Sequence, residues 1–208
     1  MTLDHLVLAV PDLTSATAAF AKTHGVTPAT GGTHPGRGTH NALLGLTGGA
    51  YLELVAAHPS EPHGPDGRWM GVDLVTAPTL TRWAVRDVDV GAFAKTLHTA
   101  GHPALATLAE GRRRTPAGQL LRWRMTEPQP APAVQTVPFA LDWSDSEAHP
   151  ADSLPPALTL QGLRLGHPNP ARLRATFDAL RLDYVIAEAP TPYIEAHLSG
   201  PRGTFVLR

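Results

Sequence analysis

The chain has 208 residues, enough for one large domain or two small ones with a substantial core. Seventeen basic against eighteen acidic residues leave no net field that would draw it to nucleic acid or a membrane surface, and no apolar run approaches the roughly 18 residues of a spanning helix. The lack of cysteine excludes disulfides, thiolate catalysis and cysteine-ligated zinc; with an N-terminus that enters a strand pattern at once, it leads us to expect a cytoplasmic protein.

Residues 3–10, rich in Leu and Val, predict a strand. Asp12 or Thr14 is a helix N-cap, Ala16, Ala19, Phe20 and Thr23 recur at helical spacing, and Gly25 is a stop. Two strands follow near 39–46 and 50–56, joined by the hairpin signal Thr47-Gly48-Gly49. Residues 58–79 are rich in Pro and Gly and predict a loop with a short helical turn near Trp69.

The pattern then returns. Residues 80–88 predict a strand, 90–100 a helix and Gly101 its stop, followed by a strand pair around Thr115-Pro116-Ala117-Gly118. Residues 127–136 are irregular, 137–143 add one more strand, and 144–157 read as a linker. A third round follows: a strand over 158–165, a helix over 170–180 capped by Asn169 with Pro170 at its first position, and strands over 184–188, 193–198 and 204–208. The expectation is an α+β fold of repeated βαβββ modules, with curled mixed sheets around a cleft and the helices outside.

Strand period puts Leu6, Leu8 and Val10 on the helix side and His5, Val7 and Ala9 on the other. It likewise separates Leu52 and Leu54 from Tyr51, Glu53 and Val55. His5 and Glu53 are thereby candidates for one concavity; a hydrogen-bonded core histidine and a glutamate at a strand edge are the bland alternatives. In His34-Pro35-Gly36-Arg37-Gly38-Thr39-His40-Asn41, two glycines allow close backbone approach to a ligand, so His34 and Asn41 are candidate binding residues; a structural turn is the competing reading. Arg82 and Arg122 are candidate anion-binding residues against exposed strand arginines, and Arg112-Arg113-Arg114 reads as a solvated charge run.

His5 on a first strand, Glu53 on a later one and the His-Pro-Gly-x-Gly-Thr-x-Asn segment resemble the glyoxalase-like domain family of the vicinal oxygen chelate superfamily, over residues 3–143. The resemblance implies a domain 1–143 built from paired modules (1–57 and 79–126, plus strand 137–143), with 158–208 as a third module. That module covers the others or pairs across a homodimer. It also implies a divalent metal (Zn, Ni, Mn or Fe) at His5 and Glu53, where Glu53 can instead be a general base. A third ligand would come from His34, His40 or Asp142. Counting four residues on from each hairpin glycine matches Glu53 with Arg122 and Leu207, and His5 falls opposite Leu80 and Gly162.

The functional expectation is a metal-dependent lyase, isomerase or dioxygenase acting on a small oxygenated metabolite. The alternative is a metal-free protein that binds or sequesters a small, anionic molecule.

Overall fold

The computed structural model describes residues 1–115 and 118–208; of the predicted turn at 115–118, Pro116 and Ala117 lie outside the described residues. The first module runs β1 (Thr2–Ala9), α1 (Leu13–His24), β2 (Ala29–His34), β3 (Thr39–Leu46) and β4 (Tyr51–Ala57). The second runs β5 (Thr79–Arg86), α2 (Val90–Thr99), β6 (Leu108–Arg114), β7 (Leu120–Thr126) and β8 (Phe139–Asp142). The C-terminal segment runs β9 (Pro156–His167), α3 (Pro170–Leu180), β10 (Val185–Glu188), β11 (Tyr193–Gly200) and β12 (Gly203–Leu207). The helices start where side chains satisfy free backbone N–H groups: Asp12 accepts from Ser15, Asp89 from Ala92 and Asn169 from Arg172. Gly25 ends α1 in the left-handed conformation, and Arg181 does the same for α3.

All twelve strands belong to one mixed, open sheet. Its centre is the antiparallel pair β1–β5. β4 lies parallel to β1 with β3 and β2 beyond it, and β8 lies parallel to β5 with β7 and β6 beyond it. The two modules are thus related by a pseudo-twofold axis between β1 and β5. The strand of residues 137–143 belongs to the second module as its last strand, the counterpart of β4.

The register of the central pair sharpens this symmetry. His5 pairs with Ala84 and Val7 with Arg82, and the register slips once in each strand, at Asp4 and at Thr81. Each slip is a bulge immediately before the equivalent residue, His5 or Arg82. The helix caps agree: Asp12 comes seven residues after His5, and Asp89 seven after Arg82. The counterpart of His5 is therefore Arg82, not Leu80. Val7 pairs with Glu53 and its counterpart Ala84 with Phe139, so Phe139 stands where the first module has Glu53. Counting from hairpin glycines gave Arg122 instead because it compared the β3–β4 hairpin with β6–β7, one strand too early.

The C-terminal segment repeats the order of elements but not their wiring. β9 continues the sheet from the end of β3, and it carries β10 parallel on one side and β11 antiparallel on the other. Leu207 consequently has no structural relation to Glu53. This segment packs on the helix side of the central sheet, where Leu163, Leu165, Leu173, Phe177 and Ile194 share a core with Leu6, Leu52 and Trp83. The apolar face is covered from within the chain, and residues 144–157 run from β8 to β9 through a short 3₁₀ turn at Pro150–Ser153.

On the opposite, concave face a smaller core forms. Val7, Ala9, Val55 and Ala84 are roofed by Trp69, Met70 and Val72 from the 3₁₀ segment Trp69–Leu74. The Pro- and Gly-rich stretch 58–79 predicts a loop with a short helical turn near Trp69; the turn is there, and it is an interior plug: Gly71 is left-handed (φ 73°), and a Cβ there would come within 2.6 Å of the Ala133 carbonyl. The plug fills one end of the concavity and leaves the end at His5 and Glu53.

Candidate functional site

The bulge in β1 turns Asp4 and His5 onto the same side, and both are buried. His5 Nδ1 lies 2.6 Å from Asp4 Oδ1, which fixes that nitrogen as the donor. The other Asp4 oxygen accepts from Trp143 Nε1 at 2.9 Å and from His149 Nε2 at 3.0 Å. Burial alone would raise the Asp4 pKa; the hydrogen bonds from His149 and His5 outweigh it and hold the carboxyl well below the usual range.

His5 Nε2 is buried without a hydrogen-bond partner among the described residues and faces Glu53 Oε2 at 3.4 Å. Tyr51 stacks on the imidazole at 4.6 Å, and Phe139 meets it edge-on at 5.4 Å. Burial, with the Asp4 and Glu53 charges beside it, pushes the Tyr51 phenol well up and keeps it neutral.

Asn41 orients the glutamate. Its Nδ2 donates to Glu53 Oε1 at 2.6 Å while its Oδ1 accepts from Gly32 N at 2.9 Å. Gly31 is required beside it, because a Cβ there would sit 2.0 Å from Asn41 Oδ1. The amide is thus the structural brace of one reading and, at the same time, a hydrogen-bond partner of Glu53. His34 lies on the same side, with Nε2 at 3.2 Å from Asn41 Nδ2 and Nδ1 at 2.8 Å from Thr39 Oγ1, which also accepts from Trp69. Burial lowers the His34 pKa to about 4 despite the pull of Glu53, so the ring is neutral at pH 7.

These groups line a chamber of about 40 Å³, the room of a water or the tip of a ligand, walled by Trp69, Trp123, Phe139 and Trp143. His34, Trp69, Trp123 and Met125 separate it from an open cleft of about 650 Å³.

The other expected site residues fall elsewhere. Arg82 is fully buried and its guanidinium donates to the carbonyls of Thr81, Gln129, Pro132 and Ala133 at 2.7–2.9 Å, so it is a clamp on the chain before β8 rather than a ligand-binding group. Arg122 is exposed at the outer cleft, on the opposite strand face from Leu121, Trp123 and Met125. Asp142 also borders the outer cleft and is paired with Arg124 at 2.7 Å. His40 faces away from Glu53, edge-on to His58 at 5.0 Å.

The donor set does not fit the divalent ion that the resemblance implies. Open catalytic metal sites keep three protein ligands. Among the described residues no three His, Asp or Glu side chains are grouped to hold an ion. His5 and Glu53 make two, and the symmetric positions that would complete the set hold Arg82 and Phe139.

Several residues at the site were not foreseen, Asp4 and Arg113 among them. Asp4 looked like an ordinary residue of a strand pattern; only the bulge, which no alternation rule reveals, brings it to His5. Arg113 lines the chamber from β6, although the arginine run suggested three solvated side chains. Period two was the available signal, since Arg112 and Arg114 are exposed and Arg113 is half-buried.

The buried ionisable groups set an acid response. Between its ordinary 6.5 and about 4, His34 binds a proton in the unfolded chain but not in the folded one, so stability falls as pH falls through that window. The loss should reach the order of 3 kcal/mol near pH 4. Asp4, depressed in the folded state, extends the loss below about pH 4, where the unfolded carboxyl protonates first. Urea midpoints at pH 7, 5 and 3.5 check this. His34→Gln should flatten the first interval and shrink the second to the loss that Asp4 carries, and an unchanged slope between pH 7 and 5 would sink the assignment.

No curated protein matches the chain. Among solved structures, a hypothetical protein from Staphylococcus aureus is 12% identical and superposes over 100% of this chain and 98% of its own, with a TM-score of 0.68; it shares the fold. A methylmalonyl-CoA epimerase from Mycobacterium tuberculosis is 21% identical over 67% of this chain and 85% of its own, with a TM-score of 0.42. One from Streptomyces coelicolor, in complex with 2-nitronate-propionyl-CoA, is 18% identical over 71% and 98%, with a TM-score of 0.44. A sequence profile described as a glyoxalase-like domain matches residues 3–181, from the first strand through the helix of the C-terminal segment, and the chain belongs to that family.

Proposed function

We propose that the chain is an enzyme of isomerase or lyase type that moves a proton on a small oxygenated metabolite, with Glu53 as the base and His5 as its partner. The observation that carries this reading is the buried pair itself. With Nδ1–H committed to Asp4, a neutral His5 would turn a lone pair toward the Glu53 carboxylate at 3.4 Å. The contact becomes favourable when a proton lies between them, or when a ligand places a donor there. Such a pair is suited to taking a proton from a carbon next to a carbonyl. In that step Glu53 Oε2 receives the proton and the C–H electron pair moves to the carbonyl oxygen. When His5 is doubly protonated, its Nε2–H donates to the enolate oxygen. Return of the proton to the opposite face of the same carbon, once the enolate has turned over, completes an isomerisation. Asp4 holds the ring, Asn41 holds the carboxylate, and the aromatic walls exclude water.

A sequestering protein is the second reading, favoured by the same aromatic walls and by Phe139 at the counterpart position of Glu53. Deuterium exchange separates the two. Small 2-oxo acids, 2-hydroxy acids and aldehydes are incubated with the protein in D₂O, and exchange at the carbon beside the oxygen function is followed by NMR. Catalysed exchange that falls at least about 100-fold in Glu53→Gln supports the enzyme. Binding without exchange supports sequestration.

A further inference from the structure

We propose that Arg113 anchors a carboxylate of the ligand, so that the chamber takes a small organic acid rather than a neutral carbonyl compound. This rests on the reading of His5 and Glu53 as a proton-transfer pair.

β6 presents Leu108, Glu110, Arg112 and Arg114 to solvent and Ala109, Gly111 and Arg113 to the concave side. The register confirms the face: Ala109 pairs with Met125, Gly111 with Trp123 and Arg113 with Leu121. Trp123 lies across Gly111, where a Cβ would be 2.3 Å from its ring. That packing leaves room for the next inward side chain, Arg113, to reach the chamber that holds His5, Asn41 and Glu53.

A half-buried guanidinium ordinarily has an anionic partner, because desolvation without one is costly. Arg37 and Arg68 follow that rule, pairing with Glu127 and Asp73, while the fully buried Arg82 is satisfied by four carbonyls instead. Arg113 has no carboxylate partner among the described residues. Among the described residues its one side-chain hydrogen bond is a long one, 3.4 Å from NH1 to the Gly31 carbonyl across the gap between β6 and β2. Its charge is nonetheless felt by both His34 and Tyr51.

A planar donor fork of this kind matches a carboxylate in two-point geometry. Glu53 repels an anion from its own end of the chamber and Arg113 attracts it to the other. A ligand with a carboxylate at one end and a carbon acid at the other satisfies both. The inner volume of about 40 Å³ admits only a compact acid head, and the rest of the molecule lies in the outer cleft.

Trp69, Trp123 and Trp143 border the chamber, so binding is read by tryptophan fluorescence. The probes are sodium salts of acetate, glycolate, pyruvate and malonate, each against its methyl ester, with inorganic phosphate as the comparison anion. At least one acid should bind roughly tenfold or more tightly than its ester, the scale of a charged hydrogen bond. Arg113→Met should abolish that preference, Arg113→Lys should keep part of it, and Arg164→Met, an exposed cation on β9, should leave it intact. Melting curves of each variant show that the fold is retained. Equal affinity for acid and ester, failure of every acid to bind, a preference for phosphate, or a preference that survives Arg113→Met overturns the proposal. Acid selectivity in a protein that exchanges no deuterium leaves the anchor standing and removes the proton-transfer reading; exchange without acid selectivity does the reverse.

Discussion

Phe177→Ala should destabilise the whole chain by about 3–5 kcal/mol, the cost of deleting a fully buried aromatic ring. For a chain of this size that lowers the melting temperature by roughly 10 °C. Phe177 is on α3 in the C-terminal segment, is 0% exposed, and lies 6.0 Å from the ring of Trp83 in the centre of the sheet. Tyr184 closes the cluster at 4.7 Å from Trp83. A cavity there loosens the segment and the central pair of strands together. Far-UV circular dichroism and tryptophan fluorescence should therefore report one coincident transition in both wild type and variant. Two separated transitions would show that residues 158–208 fold as a tethered unit, contrary to the shared core.

Arg82→Met should be comparably severe, at least about 3 kcal/mol, with a different cause. The side chain's volume is nearly kept, so the loss comes from the carbonyls of Gln129, Pro132 and Ala133, which lose their charged donor in an interior position. Burial lowers the Arg82 pKa to about 9, still well above neutrality, so it is the cation that is lost at pH 7. Arg82→Lys should recover little, because one ammonium cannot reproduce two forked nitrogens serving four oxygens. Urea titration measures both variants. Stability within 1 kcal/mol of wild type in Arg82→Met would mean that the clamp is not needed to hold the chain entering β8.

The fold was legible largely because its strands and helices carry local signals. Alternation around Leu6, Leu8 and Leu52 named the core face, and the caps at Asp12, Asn169 and Gly25 named helix ends. β2 was missed because Ala29-Thr30-Gly31-Gly32 has little strand propensity; its glycines serve the Asn41 amide and Arg113 across the sheet, contacts distant in sequence. His5 and Glu53 meet as the strand faces suggest, since period two is preserved through β4; His34 and Asn41, read as loop residues, join them from β2 and β3. Asp4 was hidden because a bulge breaks period two where it matters. Arg122 is matched with Glu53 in error because the counterpart of β4 is β8, reached only after twelve residues outside any strand; Arg82 is placed on the right face, but its carbonyl partners lie in that same intervening stretch. The wiring of the C-terminal segment depends on which edge β9 joins, which residue order does not encode locally.

The unequal halves of the twofold have a stereochemical consequence. Backbone symmetry offers a ligand on the axis two equivalent approaches. Here one approach presents an imidazole and a carboxylate, while the other presents the benzene ring of Phe139, with Arg82 buried on peptide oxygens behind it and outside the chamber lining. The chamber is therefore handed in chemistry although its scaffold is nearly symmetric. On the proton-transfer reading, a flat, sp² carbon held inside it would take up its proton through one face only, so a chiral product would leave as a single enantiomer unless the molecule turned over before the proton returned.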